Sequence, residues 1–156
     1  MGISKDIWEA YDLSERRLTP EQLKKILEKI PEEIQETVEA GMEKAAMIVE
    51  RRAKLNCHPS STPYYKAPHI TGTLQASIVG IVEKEGNSIM GIIKVDGSNV
   101  NPISQSSVME YAPFVHDGTS KMEARPFLLD AITTEQDKVI KILSESVIEA
   151  LKKVSS

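Results

Sequence analysis

Thr19 to Asn56 reads TPEQLKKILEKIPEEIQETVEAGMEKAAMIVERRAKLN, and this stretch decides the fold. Thr19 suits an N-cap. Pro20 suits the first helical position, where a missing N–H costs nothing, and Glu21 and Gln22 fill the first turn. Leu23, Ile26, Leu27, Ile30, Ile34, Val38, Met42, Ala45, Ala46, Val49 and Ala53 then recur every three or four residues. That spacing gathers them on one helical face, with Lys and Glu elsewhere. Pro31 either kinks one long helix or opens a second after a short break, because it lacks an N–H and crowds the carbonyl four residues back. A helix this long spans roughly 50 Å at 1.5 Å per residue. A small domain cannot cover it all, so part of its apolar face is expected to meet another subunit.

Working outward, residues 4–17 suit a short helix with Ile7, Trp8 and Tyr11 on one side. Trp8 reads as a core residue or as an interface anchor. After the long helix, Pro59, Pro63 and Pro68 exclude regular structure from most of residues 56–72. A loop of that length in a compact domain is usually functional. Leu74 to Lys84 and Ser88 to Val95 are rich in Ile and Val, and Lys84-Glu85-Gly86-Asn87 between them is a turn signal, so the pair reads as a β-hairpin. Residues 96–107 form a second polar loop. Val108 to Val115 reads as a third strand, closed by Asp117-Gly118-Thr119. A last helix opens at Pro126, with a stripe of Leu128, Ala131, Ile132, Val139, Ile142, Leu143, Val147, Ala150, Leu151 and Val154. Asp130 lies near its start and Lys152 and Lys153 at its end, the signs that suit a helix dipole.

The expected fold is therefore α+β. A long N-terminal amphipathic helix precedes a small antiparallel sheet of three to four strands, and a long C-terminal helix packs on that sheet. The 156 residues supply one domain, and 40% apolar with 27% charged residues is ordinary for a globular chain. Residues 1–18 read as an N-terminal extension and 19–156 as the single domain.

Net charge is −4 and the charges are evenly spread, with no basic arm or stripe. Sequence-specific nucleic-acid binding, which needs clustered Lys and Arg to displace counterions, is not expected. No run approaches the roughly 20 apolar residues that cross a bilayer, and Met1 to Leu18 shows no hydrophobic signal core. A lone cysteine, Cys57, rules out an intramolecular disulfide and suits a reducing cytoplasm.

Cys57, His58 and His69 fall within 13 residues, but their spacing matches no usual zinc pairing, and a fourth ligand would have to be His116 or a carboxylate. The alternative is a set of exposed loop residues. Cys57 with His116 as nucleophile and base would need an orienting group and an oxyanion site. His116 and Asp117 are neighbours whose side chains are expected to point apart, leaving Asp117-Gly118 a turn role. The eight glycines are scattered singly, with no phosphate-binding loop. No catalytic residue, metal or cofactor is expected.

Aromatic residues are scarce, at 4%, and Tyr64, Tyr65, Tyr111, Phe114 and Phe127 lie in the middle of the chain and just after it. Tyr111 and Phe114 on the third strand, with Phe127 opening the last helix, either close the sheet–helix core or anchor a subunit. Tyr64 and Tyr65, on a proline-bounded loop, suit a subunit interface, where a ring packs while its hydroxyl stays wet.

Three segments together resemble a known family. Pro68-His69-Ile70-Thr71-Gly72-Thr73-Leu74-Gln75-Ala76-Ser77-Ile78 resembles a Pro-x-x-Thr-Gly-x-Leu-x-x-Ser-Ile pattern. Tyr111-Ala112-Pro113-Phe114-Val115-His116-Asp117-Gly118-Thr119 resembles Tyr-Ala-x-x-Val-x-x-Gly-Thr. Ala124-Arg125-Pro126-Phe127-Leu128-Leu129-Asp130-Ala131 resembles Ala-x-Pro-Phe-Leu-x-x-Ala. In this order, between two amphipathic helices, they are similar to the gene-product-ten tail-component family of siphophages, over roughly residues 20–154. The chain departs from the family at Ile70, Gln75 and His116-Asp117. The resemblance implies a structural virion protein, not an enzyme. It would complete the tail at the head–tail junction as a ring of identical subunits. Its partners would be head-completion and tail-tube or tail-terminator proteins. It would be found in the host cytoplasm during assembly and in the virion afterwards. The readings outside this class are a small Cys/His metal-dependent hydrolase and a cytosolic interaction adaptor. The physical roles expected within the signatures are structural. Gly72 releases the chain into the first strand, Gly118 ends the third, Pro126 presets the last helix and Phe127 docks that helix on the sheet.

Overall fold

The computed structural model describes residues 19–21, 32–58, 72–86 and 88–155. The expectations placed on residues 4–17, on Leu23 to Pro31, and on Tyr64, Tyr65, Pro68, His69 and Thr71 lie outside these residues. The elements are α1 (Glu32–Asn56), α2 (Thr73–Ser77), β1 (Ile78–Glu85), β2 (Ser88–Val95), α3 (Val108–Asp117) and α4 (Phe127–Ser155). The α+β class holds, with long helices and a small antiparallel sheet. That sheet is β1 paired with β2, two strands and not three or four.

The missing third strand is α3. Ser107 caps it, its Oγ accepting the Met109 N–H at 3.3 Å. Its buried residues are Val108, Ala112 and Val115, spaced by four and three, which is a helical period and not an alternation. Pro113 inside the helix leaves the Met109 carbonyl without its i+4 donor and lies on the exposed side. The start of the expected first strand is also helical. Leu74 to Ser77 belong to α2, which Gly72 enters with φ 73°, and the Ser77 hydroxyl bonds back to the Thr73 carbonyl at 2.6 Å. Gly72 thus releases the chain into a short helix, and β1 begins only at Ile78.

The chain forms two compact units. The first takes α1 as far as Ala46, the hairpin from Ile81 to Ile92, and α4 from Gln136 onward. Ile34 and Val38 of α1, Ile89 of β2, and Val147, Ala150 and Leu151 of α4 form its buried cluster, with Met42, Val82, Leu143 and Ile148 against it. Here the C-terminal helix does pack on the hairpin. The i, i+4 and i, i+3, i+4 spacings put one stripe of each helix inward, and each buried Val, Leu or Ile contributes about 1.5–3 kcal/mol. Ser144 is fully buried on α4, and its hydroxyl bonds to the Ile140 carbonyl at 2.7 Å. That back-bond satisfies a polar atom that burial would otherwise penalise.

Gly41 marks a close approach of α1 to α4. A Cβ there would stand 1.9 Å from Ser146 Oγ and 2.5 Å from Ser146 Cβ. Overpacking of this kind costs about 1–3 kcal/mol, and the better helix propensity of alanine returns up to about 1 kcal/mol. Gly41→Ala is therefore expected to lose about 1–2 kcal/mol in urea unfolding. Adding Ser146→Gly removes both contacted atoms, so the double variant should recover most of the packing loss. Additive losses in the pair would show that the contact is not the cause.

The second unit takes α1 from Met47, then α2 and β1 as far as Gly80, and Ile93 to Glu135. Val49, Ala53, Cys57, Leu74, Ile78, Val108, Ala112, Val115, Phe127 and Ala131 are buried in it. The Gln75 amide bonds to the Lys54 carbonyl at 3.1 Å, and the Asn56 amide to the Phe127 carbonyl at 3.0 Å. These bonds pin the end of α1 to α2 and to the start of α4. Loop 96–107 carries its own turns. Asp96 accepts from the Ser98 N–H and hydroxyl, and Asn101 Oδ1 from the Ile103 and Ser104 N–H groups. These side chains replace backbone partners the loop lacks.

Candidate functional site

The residues of the three family-like segments that the structure describes all fall in the second unit. Leu74 and Ser77 of α2 and Ile78 of β1 are buried. On α3, Ala112 is buried and Tyr111 half-buried. Burial pushes the Tyr111 phenol up, and a hydrogen bond with Asn101 partly opposes it. Gly118 ends α3, not a strand, and its N–H bonds to the Phe114 carbonyl at 2.9 Å. Thr119 pairs with Met122, and the Arg125 N–H donates to the Val115 carbonyl at 3.0 Å, so the connector is tied to α3. Pro126 lies immediately before α4, and Phe127 opens that helix, 1% exposed. Phe127 docks edge-on to the His116 ring of α3, centroids 5.4 Å apart and planes at 79°. Its shown partners are thus α3 and Asn56, where the sequence suggested the sheet. The segments build one joint, in which α2 packs against α3 and α3 leads into α4.

Phe114 departs from the core alternative, being 57% exposed. On a strand it would share a face with Ala112; on α3 it points away from the buried Val108, Ala112 and Val115 stripe. His116 and Asp117 also depart from expectation, with Nδ1 and Oδ1 2.8 Å apart. Successive side chains diverge by about 100° on a helix against about 180° on a strand, which leaves these two within reach of each other.

Cys57 is no exposed loop residue. It is 3% exposed, and burial pushes its thiol up to about 12. A nucleophile needs the thiolate, which this environment suppresses. Among the described residues no three His, Cys, Asp or Glu side chains gather to hold a metal. At pH 8 the folded thiolate fraction should be about 1,000-fold below that of the unfolded chain, at tenfold per pH unit. Iodoacetamide is therefore expected to label Cys57 only after unfolding. A raised pKa gives stability that is full below the unfolded value near 9 and is lost as pH rises toward 12. Cys57→Ala should flatten that part of the stability–pH curve, and an unchanged slope would exclude the thiol as its source.

Two ionic contacts escaped the sequence reading. Arg52 Nε lies 2.6 Å from Glu135 Oε1, and Glu135 is 2% exposed. The available signal was Glu135 itself, a charge set four residues after Ala131 and four before Val139 on an apolar stripe. Glu50 accepts from Lys54 Nζ at 2.6 Å and from the Gly80 N–H at 2.8 Å. Burial raises the Glu50 carboxyl, but the Lys54 and Gly80 bonds outweigh it and hold the group below its ordinary value.

The second unit presents apolar as well as polar side chains outward. Met47, Leu55, Val100, Ile103, Met109, Phe114, Leu129 and Ile132 are large, exposed and all in this unit, whereas among the described residues of the first only Met90 is. Scattered exposed apolar residues are ordinary on a monomer. Of the nine exposed large apolar side chains among the described residues, eight lie in this unit. Among the described residues no helix is long and apolar enough to cross a membrane.

No curated protein and no solved structure matches the chain. A family model does, described as "Bacteriophage HK97-gp10, putative tail-component", and it matches residues 21–118. That span holds α1, α2, the hairpin and α3, together with the first signature segment and the second as far as Gly118. More than half of the chain is matched, and the protein belongs to the HK97-gp10-like family of bacteriophage tail components.

Proposed function

We propose that this phage structural protein acts at the head–tail junction, as one subunit of a ring that completes the tail or joins it to the head. The observation that carries this reading is the concentration of exposed large apolar side chains in the unit built from the family segments. A tail component works by burying such surface against neighbours and needs no reacting group. Its partners are further copies of itself and the adjoining head-completion and tail-tube or tail-terminator proteins. Tyr64 and Tyr65 are offered as further subunit contacts. Residues 1–18 are an extension of one domain spanning 19–156, and the protein is not an enzyme. It gathers in the host cytoplasm and ends in the virion. The Cys/His hydrolase reading draws no support from Cys57, buried with its thiol raised.

Light scattering and negative-stain imaging of the purified protein, alone and with tail tubes, test the reading. Rings with a central channel, or rings capping tube ends, are expected. Monomers that bind neither tails nor heads would sink it.

A further inference from the structure

We propose that, in the ring, one exposed stripe of α1 seats on the exposed face of α3 in the next copy. The α1 stripe is Met47, Arg51 and Leu55, and the α3 face is Met109, Pro113 and Asp117 with Glu110 and Phe114. The inference rests on the ring reading above and deepens it by naming the two surfaces.

The α1 residues stand at i, i+4 and i+8 and are all exposed, so they form one outward row. Its charge is positive. Glu50 is held by Lys54 and the Gly80 N–H, and Arg52 is turned to Glu135, which leaves Arg51 as the cation between two apolar side chains. Met109, Pro113 and Asp117 form a second exposed row with the same spacing, and Glu110 and Phe114 flank it. The acidic groups here are Glu110 and Asp117, the latter with its side chain 76% exposed beside His116. α3 contains no Lys or Arg.

One row is apolar and basic, the other apolar and acidic. Neither is complementary to itself, because two copies of the same row would oppose like charges. Each is complementary to the other in both respects. Met47 and Leu55 match Met109, Pro113 and Phe114, and Arg51 matches Glu110 and Asp117. A contact between two different patches of the same chain is heterologous, and such contacts propagate into rings when the rotation closes.

Sedimentation velocity on the full-length chain tests this by charge exchange. Arg51→Glu alone, and Glu110→Lys with Asp117→Lys, should each need at least about tenfold more protein to assemble. The triple exchange restores opposite charges across the contact and should assemble within about threefold of the unaltered chain. Phe114→Ala changes no charge and removes the one aromatic side chain of the proposed contact, so it should weaken assembly about 30-fold. Circular dichroism melts should be unchanged, since every altered side chain is exposed. Rings that form equally well with Arg51→Glu, or a triple variant no better than its parents, would overturn the pairing and leave the ring reading standing. Intact rings with loss of tail-tube binding would also overturn it and give the face to a tail protein. An unaltered chain that stays monomeric throughout would overturn both. Association that stops at two copies yet follows the charge exchange would keep the pairing and overturn the ring.

Discussion

Arg52→Leu is expected to be among the most damaging single changes, with a loss of about 3 kcal/mol. The variant removes the guanidinium that lies 2.6 Å from a carboxylate which is 2% exposed. Water cannot replace it there, so Glu135 keeps the cost of leaving solvent and loses what offset it. Arg52 itself is partly open, its side chain 36% exposed, which keeps the loss nearer the lower end of values for broken buried pairs. In a chain of this size the midpoint of thermal unfolding should fall by about 6–12 °C. The paired variant Arg52→Leu with Glu135→Leu separates charge from packing. Two apolar side chains of similar bulk need no counter-ion, and the pair should recover most of the loss. Losses that simply add would show that the two residues act independently.

Gly118→Ala should cost a comparable amount, about 3 kcal/mol, for a different reason. Gly118 has φ 77° and ψ 176°, a region held almost only by glycine, at about 1–3 kcal/mol for any other residue. A Cβ there would also stand 2.6 Å from the Ala124 N and 2.9 Å from the Met122 carbonyl oxygen. Those are backbone atoms of the connector tied to α3, so no side chain can swing away to make room. Gly86 is the control. Its φ is 57°, but nothing lies within 4 Å of an added Cβ, so Gly86→Ala should lose only about 1 kcal/mol. Urea unfolding of both variants reads the difference. Equal losses would mean that strain alone acts at Gly118 and that the connector yields. Amide exchange at Arg125, whose N–H bonds to the Val115 carbonyl, should rise in Gly118→Ala and not in Gly86→Ala.

Much of the fold was legible because it is periodic. The α1 stripe from Ile34 to Ala53 and the α4 stripe from Val139 to Leu151 obey the helical spacing that the amino-acid order displays. The hairpin was legible because a Gly-containing turn separates two Ile- and Val-rich runs. Val108–Asp117 was not. Ten residues hold too few repeats to separate a period of two from one of 3.6, and Val, Tyr and Phe favour strands when read alone. Leu74 to Ser77 is hidden in the same way, because its four residues run without a break into the strand that follows.

The candidate surface was legible in part. The signature segments could be located by their residues, but their meeting in one unit could not. Phe114 could be named, yet its exposure followed only once α3 proved helical.

The amino-acid order determined the helix–hairpin–helix frame, the absence of a basic stripe and the likeness to a phage tail component. Those are properties of spacing and composition, readable along a line. Tertiary structure alone decided that α3 is a helix, that Cys57 is buried, and that Arg52 meets Glu135 across 83 residues of chain. Each depends on what a segment packs against, and burial costs and ion pairs are set by neighbours in space that the linear order does not identify.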